Sequence, residues 1–191
     1  MLRFSSIEKH DLLKAWLVIS VAFGLVINPH GWLSPKLLLY VLIAGITVGS
    51  GFLIHELCHK IVAQRYHCWA EFRSDDKMLF LALITSLFGV VFAAPGAVII
   101  QGHVSSKQSG LISAAGPLSN LILALLFLAL SPWIGMVAHY GYLINAWLGL
   151  FNLLPFWLLD GKKVYHWNKA VYFALLFIAA GFYGASFVLF K

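Results

Sequence analysis

Charge is what this chain has least of. Only 10% of its 191 residues are Asp, Glu, Lys or Arg, where a soluble globular domain carries about 25%. With 61% hydrophobic residues and a mean hydropathy of +0.89, that shortage excludes an ordinary soluble domain and predicts a polytopic membrane protein. Cysteine is nearly absent. Cys58 and Cys68 are the only two, and Cys58 falls in an apolar run, so a disulfide framework is not expected and both read as structural or incidental thiols. The chain also lacks an internal repeat, a low-complexity linker and room for a separate soluble domain. The first apolar run, Trp16 to Ile27, leads into Asn28-Pro29-His30-Gly31 rather than a small-x-small cleavage site, so it reads as a retained span. The net charge of +6 does not predict nucleic-acid binding. In a membrane protein, basic residues mark the cytoplasmic side and meet anionic lipid.

What is present is apolar helix. Spans are predicted at about 12–27, 37–66, 110–130, 136–159 and 170–190, with a further apolar stretch from Met78 to Ala94. The expected class is an all-α polytopic membrane protein forming one membrane-embedded domain. It has about five to six transmembrane helices and a re-entrant or β-hairpin-like segment, 78–104, near the active site. Gly45 and Gly49 stand at GxxxG spacing, and Gly51 lies one turn before His55. Trp16, Trp32, Trp133 and Trp167 sit near span ends and read as interface anchors.

The positive-inside rule tests whether 78–94 crosses the bilayer. If it crosses, Arg3, Lys9, Lys14, Lys60, Arg65, Arg73, Lys77 and Lys191 face Lys36, Lys107, Lys162, Lys163 and Lys169, a weak 8 to 5 split. If it dips and returns, only Lys36 and Lys191 remain on the second side and the split is 11 to 2. The re-entrant arrangement is therefore expected, in the cell membrane, with a cytoplasmic N-terminus and the active site toward the cytoplasmic side.

Seven carboxylates occur in all. Glu8, Asp11, Glu71, Asp75 and Asp76 belong to polar stretches and read as solvated surface charge, whereas Glu56 and Asp160 are embedded in, or abut, apolar helix. A carboxylate in the bilayer centre costs at least about 2.5–3.5 kcal/mol, so these two demand a function. Glu56 lies within His55-Glu56-Leu57-Cys58-His59. Two histidines four apart share one helix face and can grip a single zinc, with the glutamate placed as general base. A catalytic zinc needs a third protein ligand and an open position, and Asp160 is the economical candidate.

Three elements then resemble the site-two protease family of intramembrane zinc metalloproteases. They are His55-Glu56-Leu57-Cys58-His59, Ala115-Gly116-Pro117-Leu118-Ser119-Asn120, and the stretch from Asn152 through Pro155 to Asp160-Gly161, which matches Asn-x-x-Pro-x(4)-Asp-Gly. The resemblance implies one zinc held by His55, His59 and Asp160, with Glu56 catalytic and Asn152 and Asn120 contacting substrate. It implies cleavage of a peptide bond in or near a transmembrane helix of a substrate protein, within the lipid bilayer. The chain departs from the family pattern at Lys162, where many members carry a second glycine, and has no PDZ or CBS domain. A zinc or cation transporter, or an inactive helix-binding scaffold, is the alternative.

Overall fold

The computed structural model of the chain describes residues 2–31, 33–91, 95–156 and 159–190, and these are mostly helical. Trp32, the end of the 78–94 stretch, Trp157 and Leu158 of the third motif, and Lys191 lie outside the described residues. The chain divides into one unit of residues 1–53 and 71–99 and a second of 54–70 and 100–191. Four described helices are long and apolar enough to cross a membrane: 6–27, 37–65, 106–152 and 169–189.

In the first unit, α1 (Ser6–Ile27) starts earlier than the span predicted from Leu12, because the Ser5 hydroxyl caps it by accepting from the Glu8 N–H at 3.1 Å. Its first turns are not solvated. Glu8 is fully buried and Asp11 nearly so, which corrects the reading of both as surface charge. The reason is strand β1 (Trp69–Ser74), whose outward N–H groups need acceptors. Glu8 Oε1 accepts from the Phe72 N–H at 2.9 Å, and Asp11 Oδ1 accepts from the Ser74 hydroxyl at 3.2 Å. Ser5 donates to Glu71, which also pairs with Arg73, and Lys14 reaches Asp76 at 2.6 Å. Phe72 is buried with Ala15 and Leu79 beneath this polar seam.

The other side of β1 pairs with β2 (Gly96–Gln101) in a two-stranded sheet. The Asp75 backbone N–H donates to the Pro95 carbonyl at 3.1 Å while Gly96 lies against the Arg73 carbonyl, so the strands run antiparallel. Between them is α4 (Asp76–Ser86), capped by Asp75. Its 11 residues span about 16 Å, about half the hydrocarbon thickness. The stretch from 76 to 94 thus starts and ends at one hydrogen-bonded pair of residues.

The 29-residue run from Leu37 comprises α2 (Leu37–Ala44), a π-helical turn at Gly45–Gly49 and α3 (Ser50–Arg65). Trp16, expected at the lipid interface, instead donates its indole N–H to the Gly45 carbonyl at 3.0 Å. A Cβ at Gly49 would sit 2.8 Å from that ring, which explains the small residues at this spacing.

In the second unit, α5 (Ser106–Asn152) holds two of the predicted spans in one 47-residue helical run. Straight, it would be about 70 Å long against a hydrocarbon core of about 30 Å. It is not straight. Gly135 has φ 41° and ψ −108°, a conformation open to glycine, and the helix reverses there. The two arms then pack antiparallel. Ala124 and Phe127 cluster with Tyr142 and Ala146, and Gly141 lies flat on the Phe127 ring. Among the described residues, the long apolar helices therefore number four, one of them folded on itself at Gly135. Trp133 is exposed at the reversal. Beyond it, α6 (Asp160–Trp167) and α7 (Lys169–Leu189) close the unit around Leu121, Leu153, Val164 and Tyr172. Trp167, expected as an interface anchor, is half-buried against Gly110.

Candidate metal centre

All residues of the centre belong to the second unit. On α3, the four-residue separation brings His55 and His59 together on one face, their rings edge to face with centroids 4.6 Å apart. Asp160 arrives from the other end of the chain as the first residue of α6. Gly161 is what lets it come in. A Cβ there would lie 2.0 Å from the Leu153 carbonyl oxygen, so the chain turns tightly beneath the end of α5.

The three side chains are buried, and their ligand atoms converge. His55 Nε2 and His59 Nε2 are 3.0 Å apart, and Asp160 Oδ2 is 3.3 Å from the first and 3.1 Å from the second. A tetrahedral zinc with ligand bonds of about 2.0–2.1 Å has ligand-to-ligand edges of about 3.3 Å. The observed triangle matches one face of that tetrahedron. Two neutral imidazoles and one carboxylate also have the donor chemistry of a catalytic zinc with its fourth position open. Asp160 does not pair with Lys162 or Lys163, both of which are exposed.

Each imidazole is oriented from behind. His59 Nδ1 lies 2.7 Å from the Ile112 carbonyl, and His55 Nδ1 lies 2.7 Å from Asn120 Oδ1. An N–H on Nδ1 leaves the Nε2 lone pair for a metal. Gly116 of α5 permits this approach, since a Cβ on it would stand 2.4 Å from His59 Nε2 and 2.6 Å from His55 Cε1. Glu56, also buried, is next to His55 and one turn from His59 on the same helix.

The structure distributes the predicted site residues unevenly. His55, His59 and Asp160 are brought together, with Glu56 beside them. Asn120, expected against substrate, is fully buried behind His55, where its Nδ2 donates to Asn145 Oδ1 at 3.0 Å. Asn152 ends α5 and donates its amide to the Leu148 carbonyl at 3.0 Å. Asn145 was given no role by sequence reasoning. A lone amide in the run Tyr142-Leu143-Ile144-Asn145-Ala146 was the available signal, since polar groups in apolar helix need partners. Cys58 and Cys68 are free thiols outside the ligand group.

No protein-family model and no solved structure matches this chain. Three proteins do. A protein of Methanocaldococcus jannaschii, provisionally named a zinc metalloprotease, is 38% identical and aligns over 89% of each chain. A second protein of the same organism, named a zinc metalloprotease, is 26% identical over 83% of this chain and 41% of its own. A third, from Mycolicibacterium smegmatis and provisionally named a zinc metalloprotease, is 40% identical over 56% of this chain and 50% of its own. With an alignment that runs nearly end to end and a ligand triangle of zinc dimensions, the chain belongs to the site-two protease family of zinc metalloproteases.

Proposed function

We propose that this protein is an intramembrane endopeptidase that hydrolyses a peptide bond in or near a transmembrane helix of a protein substrate. The observation that carries the reading is the buried His55–His59–Asp160 triangle on a scaffold of membrane-length apolar helices, with Glu56 beside it. Zinc, when bound, supplies Lewis acidity, activating water and stabilising charge on the scissile carbonyl oxygen. The protein's own groups do the rest. His55 and His59 hold the metal through Nε2, and Asp160 holds it through its carboxylate. Glu56 takes a proton from the attacking water and passes it to the departing amide nitrogen. Burial of all four groups keeps bulk water away and strengthens their electrostatics. Asn152, at the end of the second arm, contacts the substrate backbone. A helical substrate hides its carbonyls and must be unwound, and β2 is the outer strand of a two-stranded sheet to which an extended segment can add.

The fold also supports the re-entrant topology. His59 meets Ile112, while His55 meets Gly116 and Asn120, so α3 and the first arm of α5 run antiparallel. The end of α3 and the start of α5 then lie on one side of the membrane. The chain between them crosses an even number of times, which a single crossing by 78–94 does not satisfy. The 11 to 2 charge split favours that side being cytoplasmic. Cysteines at Ser106 and Lys162 should be labelled from the cytoplasm and one at Trp133, exposed at the reversal of α5, from outside. The reverse pattern would overturn the orientation.

The functional test is cleavage of a single-span reporter by wild type and by Glu56→Gln, with zinc content measured in both. Wild type should cut, and Glu56→Gln should hold zinc and lose activity by several orders of magnitude. Equal cleavage by both would remove Glu56 from the mechanism. A zinc-loaded wild type that cuts no reporter would favour the transporter or scaffold.

A further inference from the structure

We propose that Asn145 is a positioning residue of the metal centre, setting the protonation pattern of His55 through the amide of Asn120. The inference rests on the reading of His55, His59 and Asp160 as the ligands. Its starting point is the difference between the two histidines. His59 Nδ1 is opposed by the Ile112 carbonyl, which can only accept, so its N–H is fixed there. His55 Nδ1 is opposed by a side-chain amide. An amide can turn over at almost no steric cost, exchanging its oxygen for an NH2. Turned over, Asn120 would present a donor to Nδ1, favour an N–H on Nε2, and remove the lone pair the metal needs.

A chain of hydrogen bonds prevents this. The Gly141 carbonyl can only accept, and Asn145 Nδ2 donates to it at 2.9 Å. Asn145 Oδ1 must therefore face the other way, and it accepts from Asn120 Nδ2 at 3.0 Å. That leaves Asn120 Oδ1 toward His55 Nδ1 at 2.7 Å, which requires an N–H on Nδ1 and a bare Nε2. Both amides are fully buried, so bulk water does not substitute for either partner. The relay links the two arms of α5 and ends on a metal ligand. Its polarity is dictated at the far end by a backbone carbonyl that cannot reverse.

The test uses the full-length protein in detergent, loaded with zinc or cobalt(II). Asn145→Leu removes both the donor and the acceptor at similar volume. It should weaken zinc binding about 10- to 100-fold, the range for outer partners of a metal ligand, in chelator competition. Asn145→Asp keeps an acceptor toward Asn120 and, protonated in this buried position, a donor toward Gly141, so it should bind close to wild type. In cobalt-loaded wild type, two hyperfine-shifted Nδ1–H protons should exchange slowly with water, one from each histidine. Asn145→Leu should shift and speed only the one from His55. Unchanged zinc affinity in folded Asn145→Leu would overturn the inference, as would equal weakening in the Leu and Asp variants, which would mean simple packing. Should Asn145→Leu not fold, Asn145→Ala carries the same comparison with Asn145→Asp, and a single protected Nδ1–H in wild type refutes the relay. Failure of wild type to bind one metal per chain would instead refute the underlying ligand assignment.

Discussion

Gly116→Ala puts one methyl group where α5 passes the two imidazoles. Its Cβ would lie 2.4 Å from His59 Nε2, 2.5 Å from His59 Cε1 and 2.6 Å from His55 Cε1. Ordinary contact begins about 1 Å farther out, near the optimal separation of about 3.5 Å. Either the rings or the helix must therefore move by about that distance. The helix is held to the same rings by the Ile112 and Asn120 contacts at 2.7 Å, so neither side yields freely. A metal site tolerates ligand displacements of about 0.2 Å. Overpacking of a close-packed site costs about 1–3 kcal/mol, which, falling on the metal-bound state, is about a 5- to 150-fold loss of zinc affinity. Chelator competition on purified wild type and Gly116→Ala reads this directly, and reporter cleavage should fall in parallel. Gly184→Ala on α7 is the control. Nothing lies within 4 Å of its Cβ, and zinc binding should not change. Wild-type zinc affinity in Gly116→Ala would refute the close approach of α5 to the metal ligands.

Three further outcomes are expected. Gly161→Ala sets its Cβ against a backbone carbonyl at 2.0 Å, so Asp160 should be displaced and zinc affinity should drop at least about tenfold; a variant that binds as tightly as wild type would contradict the turn. Glu8→Leu strips the Phe72 N–H of its acceptor and should cost about 1–3 kcal/mol in denaturation, whereas Glu8→Gln, which keeps a carbonyl oxygen, should lose less. Equal stability of Glu8→Leu and wild type would mean the N-terminal seam is not formed. Gly135→Ala meets no neighbouring atom but inherits φ 41°, so its cost of about 1–3 kcal/mol is purely backbone strain, visible as a lower melting temperature; no change would deny the reversal of α5.

The group that could hold a metal, and the carboxylate beside it, were legible for different reasons. His55, Glu56 and His59 follow from helical periodicity, a local property that four residues encode. Asp160 was legible because a carboxylate beside apolar helix has few inexpensive fates. The charges near the N-terminus were misread for the converse reason. Glu8 and Asp11 stand in a polar stretch, and only the strand 64 residues later, with N–H groups to satisfy, explains their burial. Trp16 misled in the same way, since its partner is a carbonyl in the π-helical turn.

Sequence alone determined the family, the apolar character of the long helices and the residue types of the group that could hold a metal. Composition, helical period and motif spacing are one-dimensional quantities that survive without a fold. Tertiary structure decided which end of the 47-residue helix returns to the centre, because a single glycine conformation reverses it. It also decided that Gly116 must be small and that Asn120 stands behind His55 rather than on a substrate surface. The reason is physical: close approach and hydrogen-bond polarity are relations between segments far apart in the chain. Ile112, Gly116, Asn120 and Asn145 acquire their meaning only once α5 has folded back beside α3.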